Sequence, residues 1–319
     1  YQYGHYGAPN TALHLLKDVP TAPLQPTQLR IKVHSAALNP ADQKIMQDFG
    51  LAVTGCQPTT DKPFGMGFDV AGTVVETGAD ANQFKVGDTV FAMAPHSSFG
   101  TFAEFVAIDE EFVAMKPSNM TFDEAASIPY AALTSYQALR EHANLKAGEC
   151  VLVLGGSTAT GMAAIQLACA TGAHVIATAR GCQDYLLVQS LGAEKVIDTK
   201  HQQWVDVVSE HSIDVVYDCG VERKAWNRDA QVVLKKDVGR FVTINPMAQP
   251  RAAKFGAKCI GEIMVHASGA QLKELSSLME TGDLKPVIDS VYSFEELLPA
   301  LEKLKSRSLC GKVVLRAAY

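Results

Sequence analysis

From Leu29 onward the chain sets short apolar runs, rich in β-branched and aromatic residues, between breaks at Pro, Gly and Asn. LRIKVHSAAL, FDVAGTVVETG, DTVFAM and FAEFVAI read as strands of a β-rich unit. Past Pro117 and Asn119 the period changes. TFDEAASIPYAALTSYQALREHANL reads as a helix opened by a capping box of Thr121 and Glu124, and Pro129 within it predicts a kink or restart. From Val151 to about Pro286, HVIATA, KVIDT, IDVVYDC and GRFVTI alternate with helical segments, the sign of a parallel sheet with crossovers. FEELLPALEKLKS from Phe294 is an amphipathic helix, and GKVVLRA after Gly311 is a strand expected to rejoin the N-terminal unit.

Within that second region, VLVLGGSTATGMAAIQLACATGAHVIATAR at Val151–Arg180 reads as strand, glycine turn, helix and second strand, the mononucleotide half of a dinucleotide-binding fold. Val151 to Leu154 form the continuous apolar run of a strand buried on both faces. Gly155, Gly156 and Gly161 mark the turn, with Ser157, Thr158, Ala159 and Thr160 between them, and the helix that follows ends at Gly172. Small residues there let the backbone approach a pyrophosphate on the free N–H groups and positive end of the helix. A glycine-rich turn can also be packing economy, but the strand–turn–helix–strand context favours the cofactor reading. At the end of the second strand stand Thr178, Ala179 and Arg180, where an NAD site would carry Asp or Glu for the ribose 2′-hydroxyl. A guanidinium there pairs with a 2′-phosphate, so NADPH is the expected cofactor. A solvated surface arginine is the alternative.

Composition narrows the partners. The chain has 319 residues, 47% of them hydrophobic, enough to bury two domains. A formal charge of −6 without a basic stripe argues against nucleic acid and anionic lipid. No apolar run reaches about 18 residues, so no membrane span is expected. The seven cysteines are scattered and never form CxxC, which suggests neither a disulfide framework nor a zinc cluster. Cys150, Cys169 and Cys219 read as small core hydrophobes. A reducing compartment follows, and the expected location is cytoplasmic, with a trimmed organellar presequence left open.

Three local patterns, in order, resemble the medium-chain dehydrogenase/reductase superfamily: ALNPAD at Ala37–Asp42, GMGFDVAGTVVETG at Gly65–Gly78 followed by FKVGDTVFA, and the glycine turn. Within that superfamily the chain is similar to the zinc-independent quinone oxidoreductases, particularly the alkenal and enone branch. The closing LKPVIDSVYSFEELLPALEKLKSRSLCGKVVL is similar to that branch as well, and the likeness spans nearly the whole chain. The zinc alcohol dehydrogenases place a metal-binding histidine where this chain has Phe68, and their catalytic cysteine is replaced near Asn39. No metal site is therefore expected. Where the family's turn reads GASGGVG, two glycines have become Thr158 and Ala159. Thr199 stands where the family often has a tyrosine, and a lysine often found after the second strand is missing, which leaves Arg180 to carry the 2′-phosphate.

An Asn-Pro pair is by default a turn signal, its side chain capping local backbone. The resemblance implies more for Asn39, which matches a residue facing the nicotinamide and the substrate, and it is the expected catalytic residue. It also implies a place near the nicotinamide for Thr134, which could instead bond back within its helix. Asn245, directly after GRFVTI, stands at a carboxyl end of the sheet, where ligands of this architecture bind. Asp42, Asp69 and His266 read as structural.

The expected fold is α/β: a Rossmann doubly wound parallel sheet over residues 122–288 and a β-rich GroES-like substrate domain over 1–121 and 289–319, with the active site in the cleft between them. The expected function is NADPH-dependent, zinc-independent reduction of quinones or α,β-unsaturated carbonyls, by a homodimer on family grounds. Two alternatives stay open: a catalytically idle NADPH-binding sensor or structural protein, which would show the same fold, and a zinc-type alcohol dehydrogenase, which Phe68 opposes.

Overall fold

Strand alternation decides which side chains meet which core. In the strand Cys150–Leu154, Val151 and Val153 enter one apolar cluster while Leu152 and Leu154 enter another, because successive side chains face opposite sides of a sheet. A strand covered on both faces has no polar side, hence the unbroken VLVL. The computed structural model describes residues 1–247, 249–306 and 309–317. It divides into two compact units, one of Tyr1–Leu133, His266–Gly282 and Pro286–Tyr319, the other of Thr134–Val265 and Asp283–Lys285.

Among the described residues of the second unit, the parallel strands run Lys195–Asp198, His174–Ala179, Cys150–Leu154, Val215–Asp218, Arg240–Thr243 and Lys258–Glu262. The order in which successive strands are added reverses between Cys150–Leu154 and Val215–Asp218, all of them staying parallel. That is the topological switch point at which doubly wound sheets bind ligands. The helix Ala159–Thr171 follows the first strand and stops at Gly172, which takes φ 80°. The outer strand Lys258–Glu262 was not foreseen from the sequence, since KCIGE carries a glycine and no buried residue.

In the first unit, Gln28–Ala37 organises the sheet. It pairs antiparallel with Asp69–Thr77 along one edge, and on the other with Phe105–Asp109 near its start and Lys312–Arg316 near its end. The strand after Gly311 thus rejoins the N-terminal strands. Thr89–Met93 and Val113–Met115 extend the sheet on one side and Ile288–Ser293 on the other. The capping box forms as read, Thr121 Oγ1 accepting from Glu124 N, and the helix Phe122–Ala126 restarts at Pro129–Tyr136.

The boundaries differ from those expected. Phe122–Ala126 and Gly269–Thr281, placed by sequence in the nucleotide domain, group with the first unit. Asp123 accepts from Ser35 Oγ at 2.5 Å and pairs with Arg316, tying the first helix to two strand ends. Gly269–Thr281 lies on Val113–Met115 so closely that a Cβ on Gly269 would sit 2.4 Å from Val113 O. Residues 318–319 of the expected first domain lie outside the described residues.

Candidate functional site

The glycine turn is built from the strand beside it. Gly155 N donates to Thr178 Oγ1 and Gly156 N to Thr178 O, both at 2.8 Å, so the end of His174–Ala179 fixes the start of the turn. Gly155 takes φ +89°, a left-handed conformation that glycine adopts without strain. At Gly161 a Cβ would lie 2.0 Å from Gly155 O, so only glycine lets the helix start pass this close. The two family glycines missing here find their reason in the helix. Thr158 is the N-cap, its Oγ1 accepting from Gly161 N at 3.0 Å and donating to Gly155 O at 2.8 Å, and Ala159 is the first helical residue. The N–H groups of the first turn have no intrahelical partner. With Ser157 and Thr160 at the same turn, this is a cradle of small side chains and forward-pointing donors, which fits a pyrophosphate.

Arg180 is exposed at the end of the second strand. Asp198, at the end of the third strand, has a role the sequence did not show: it accepts from Gly181 N at 3.0 Å and from Lys200 N at 2.9 Å. These N–H groups, the Lys200 one foremost, and the His201 ring hold its carboxyl below the usual range. Asp198 therefore braces the Arg180–Gly181 corner. Asp218, also missed, is fully buried at the end of its strand; Oδ1 takes Val221 N and Glu222 N, and Oδ2 takes Thr243 Oγ1 and Asn245 Nδ2. Asn245 is thereby fixed at a strand's carboxyl end. Thr134 is buried, and next to it Ser135 Oγ donates to Thr160 O at 2.7 Å, tying this segment to the glycine turn.

In the first unit, Asn39 belongs to a buried polar cluster. Its Nδ2 donates to Asp69 Oδ2 at 2.9 Å, and its Oδ1 accepts from Lys312 Nζ at 2.6 Å. Lys312 also pairs with Asp69 Oδ2 at 2.9 Å. The other Asp69 oxygen accepts from Tyr130 N at 2.7 Å, so one carboxylate gathers Asn39, Lys312 and Tyr130. Asp42 Oδ2 accepts from Asn39 N at 2.6 Å and closes the turn at Pro40. Burial, opposed by that hydrogen bond, pushes the Asp42 carboxyl up to about 8. Lys312 and the gathering role of Asp69 were not legible beforehand. His266 is exposed.

Beside this cluster Phe68 is 1% exposed, its ring packed against Phe99, His96 and Tyr130 at centroid distances of 5.0, 5.0 and 5.4 Å. A phenyl ring has no lone pair to give a metal. Among the described residues no group of three or more His, Cys, Asp or Glu side chains is arranged to hold one. Cys219 is buried, and Cys150 and Cys169, read as core, are half-buried at the edges of their clusters.

Comparison with known proteins agrees with this architecture. Residues 25–118 match the alcohol dehydrogenase GroES-like domain and residues 191–315 the zinc-binding dehydrogenase family. A 2-methylene-furan-3-one reductase of Solanum lycopersicum is 34% identical, over 99% of this chain and 78% of its own. An NADPH-dependent alkenal/one oxidoreductase of Arabidopsis thaliana, chloroplastic, is 32% identical over 98% of this chain and 78% of its own. The structure of the quinone oxidoreductase from Coxiella burnetii superposes with a TM-score of 0.84 at 28% identity, covering 99% of this chain and 98% of that one. On these grounds the chain is an NAD(P)H-dependent oxidoreductase and belongs to the zinc-independent branch of the medium-chain dehydrogenase/reductase superfamily.

Proposed function

We propose that the chain is an NADPH-dependent reductase of quinones or α,β-unsaturated carbonyls. The observation that carries this reading is Phe68, a buried aromatic side chain where the metal-dependent relatives place a ligand. Without a metal to stabilise an alkoxide, the acceptor must spread incoming charge itself, as a conjugated carbonyl does. NADPH, when bound, supplies the hydride. The protein's part is positioning and exclusion of water. The Gly155–Gly161 turn would hold the pyrophosphate, with Thr178 and Asn245 shaping its walls through the hydrogen bonds they make. Arg180, on a corner braced by Asp198, would hold the 2′-phosphate. Asn39, its amide fixed in one orientation by Asp69 and Lys312, and Thr134 would line the reacting end.

We further infer a homodimer. Lys258–Glu262 pairs on one side only among the described residues and leads to Met264, 62% exposed, so an open edge is available to a second copy. The free thiols at the described cysteines favour a reducing compartment, the cytoplasm in the simplest reading. Among the described residues no helix is long and apolar enough to cross a membrane.

Turnover decides the reaction. With NADPH, 1,4-benzoquinone, 9,10-phenanthrenequinone or a vinyl ketone should be consumed, and a primary alcohol with NADP⁺ should not. Activity on the alcohol alone would refute the reductase reading. Inactivity on every conjugated acceptor would favour an idle binder.

A further inference from the structure

Phe68 takes the metal ligand's place, and the polar side chains against its ring are His96 and Tyr130. These two approach each other, the Tyr130 hydroxyl lying 3.4 Å from His96 Nε2. That is long for a hydrogen bond, as catalytic contacts often are before a ligand tightens them. Tyr130 is held by its backbone on the Asp69 oxygen opposite the one that takes Asn39, so a single carboxylate sets the spacing between the tyrosine and the asparagine. Its ring is clamped by Phe68 and its helix begins at the preceding Pro129. Both residues are partly buried. Burial first, then the Asp42 and Asp69 charges, push the Tyr130 phenol up, so it stays protonated at neutral pH. Burial pushes the His96 imidazole down, so it stays uncharged there.

Resting on the reading of the chain as a reductase of conjugated carbonyls, we propose that Tyr130 donates the proton to the acceptor's carbonyl oxygen, and that His96 is the positioning residue for its hydroxyl. In balance, the hydride forms a C–H bond at the β-carbon, the C=C pair moves to join the α-carbon to the carbonyl carbon, and the C=O π pair goes to oxygen. The Tyr130 O–H bond breaks as the new O–H bond forms. The phenolate left behind takes a proton from water, and the enol returns to the ketone by protonation at the α-carbon. One hydride and one proton are added. A metal-free site thereby regains a group that stabilises charge on oxygen, in the place the metal would have served.

The test uses 4-(dimethylamino)cinnamaldehyde bound in the presence of NADP⁺, which cannot reduce it. A hydrogen bond to its carbonyl oxygen shifts its absorption to the red. Wild type should show this shift and Tyr130→Phe should lose it, while kcat for a vinyl ketone falls by about 100-fold and the Kd for NADPH is unchanged. His96→Ala should shrink the shift and lower kcat, and His96→Gln, which keeps a hydrogen-bonding group at similar reach, should restore both. A full red shift in Tyr130→Phe, no shift in wild type, or a kcat within about twofold of wild type would overturn the assignment. A Tyr130-dependent shift without turnover of any conjugated acceptor would retain the donor and defeat the reductase reading. Turnover indifferent to Tyr130 would do the reverse.

Discussion

At Asp42 one carboxyl oxygen takes the Asn39 N–H and the other has no hydrogen-bond partner, within a wholly buried setting beside Asp69. A charge there is poorly solvated, which is why the carboxyl is pushed up to about 8 from its ordinary value of 3.8. The sign follows from proton counts. Between those two values the folded chain holds a proton that the unfolded chain has released, so this group makes folding less favourable as pH rises from about 4 to about 8, by up to about 1.4 kcal/mol per pH unit. Below that window both states are protonated and the effect vanishes. Asp42→Asn keeps an acceptor for Asn39 N and cannot ionise. Its stability relative to wild type should therefore climb across the window, read from urea midpoints at several pH values. A difference that stays flat with pH would show that Asp42 is ionised in the folded chain.

The glycine turn shows how an element sorts tolerated from forbidden changes. Thr158 stabilises the helix start through its cap, so Thr158→Gly should cost about a few tenths of a kcal/mol, since glycine is itself tolerated at N-caps, and leave cofactor affinity near wild type. Gly161→Ala must push Gly155 O aside, since its Cβ would fall 2.0 Å away, so the Kd for NADPH should rise about tenfold or more. Titration of both variants checks this, and an unchanged Kd for Gly161→Ala would mean that the turn does not carry the pyrophosphate. The same contrast explains what was legible beforehand. The Thr121–Glu124 box, the restart at Pro129, the stop at Gly172 and the two-face burial of Val151–Leu154 are settled within a few residues, so the sequence shows them directly. The Asn39–Asp69–Lys312 cluster joins side chains 30 and 273 residues apart, and no local pattern reports that. Lys258–Glu262 and Ile288–Ser293 escaped because strands with no fully buried residue lack an apolar signature. The domain boundary moved for a related reason: the capping box marks where the helix starts, whereas the unit it joins is decided by Ser35 and Arg316 on Asp123, which lie far away in the chain.

Each unit of the molecule has its own apolar core, and the two tryptophans report on one of them. Trp204 and Trp226 both lie in the cluster on one face of the parallel sheet, with Leu152, Leu154 and Phe241. Tryptophan fluorescence therefore follows unfolding of the unit that carries the glycine turn and Arg180. A ligand that binds only the folded state stabilises it by RT ln(1 + [L]/Kd), about 2.7 kcal/mol at a hundredfold excess over Kd. NADP⁺ at that excess should raise the urea midpoint of the tryptophan transition accordingly. NAD⁺ lacks the 2′-phosphate that Arg180 is proposed to hold, and with an affinity about tenfold weaker it should stabilise by about 1.4 kcal/mol less at the same concentration. Arg180→Ala should close this gap by lowering the NADP⁺ effect while leaving that of NAD⁺ in place, because the corner is held by Asp198 on Gly181 N rather than by the arginine itself. Equal shifts for the two cofactors in wild type would remove Arg180 from the 2′-phosphate site. No shift from either would mean that this unit does not bind the nucleotide its turn is shaped to hold.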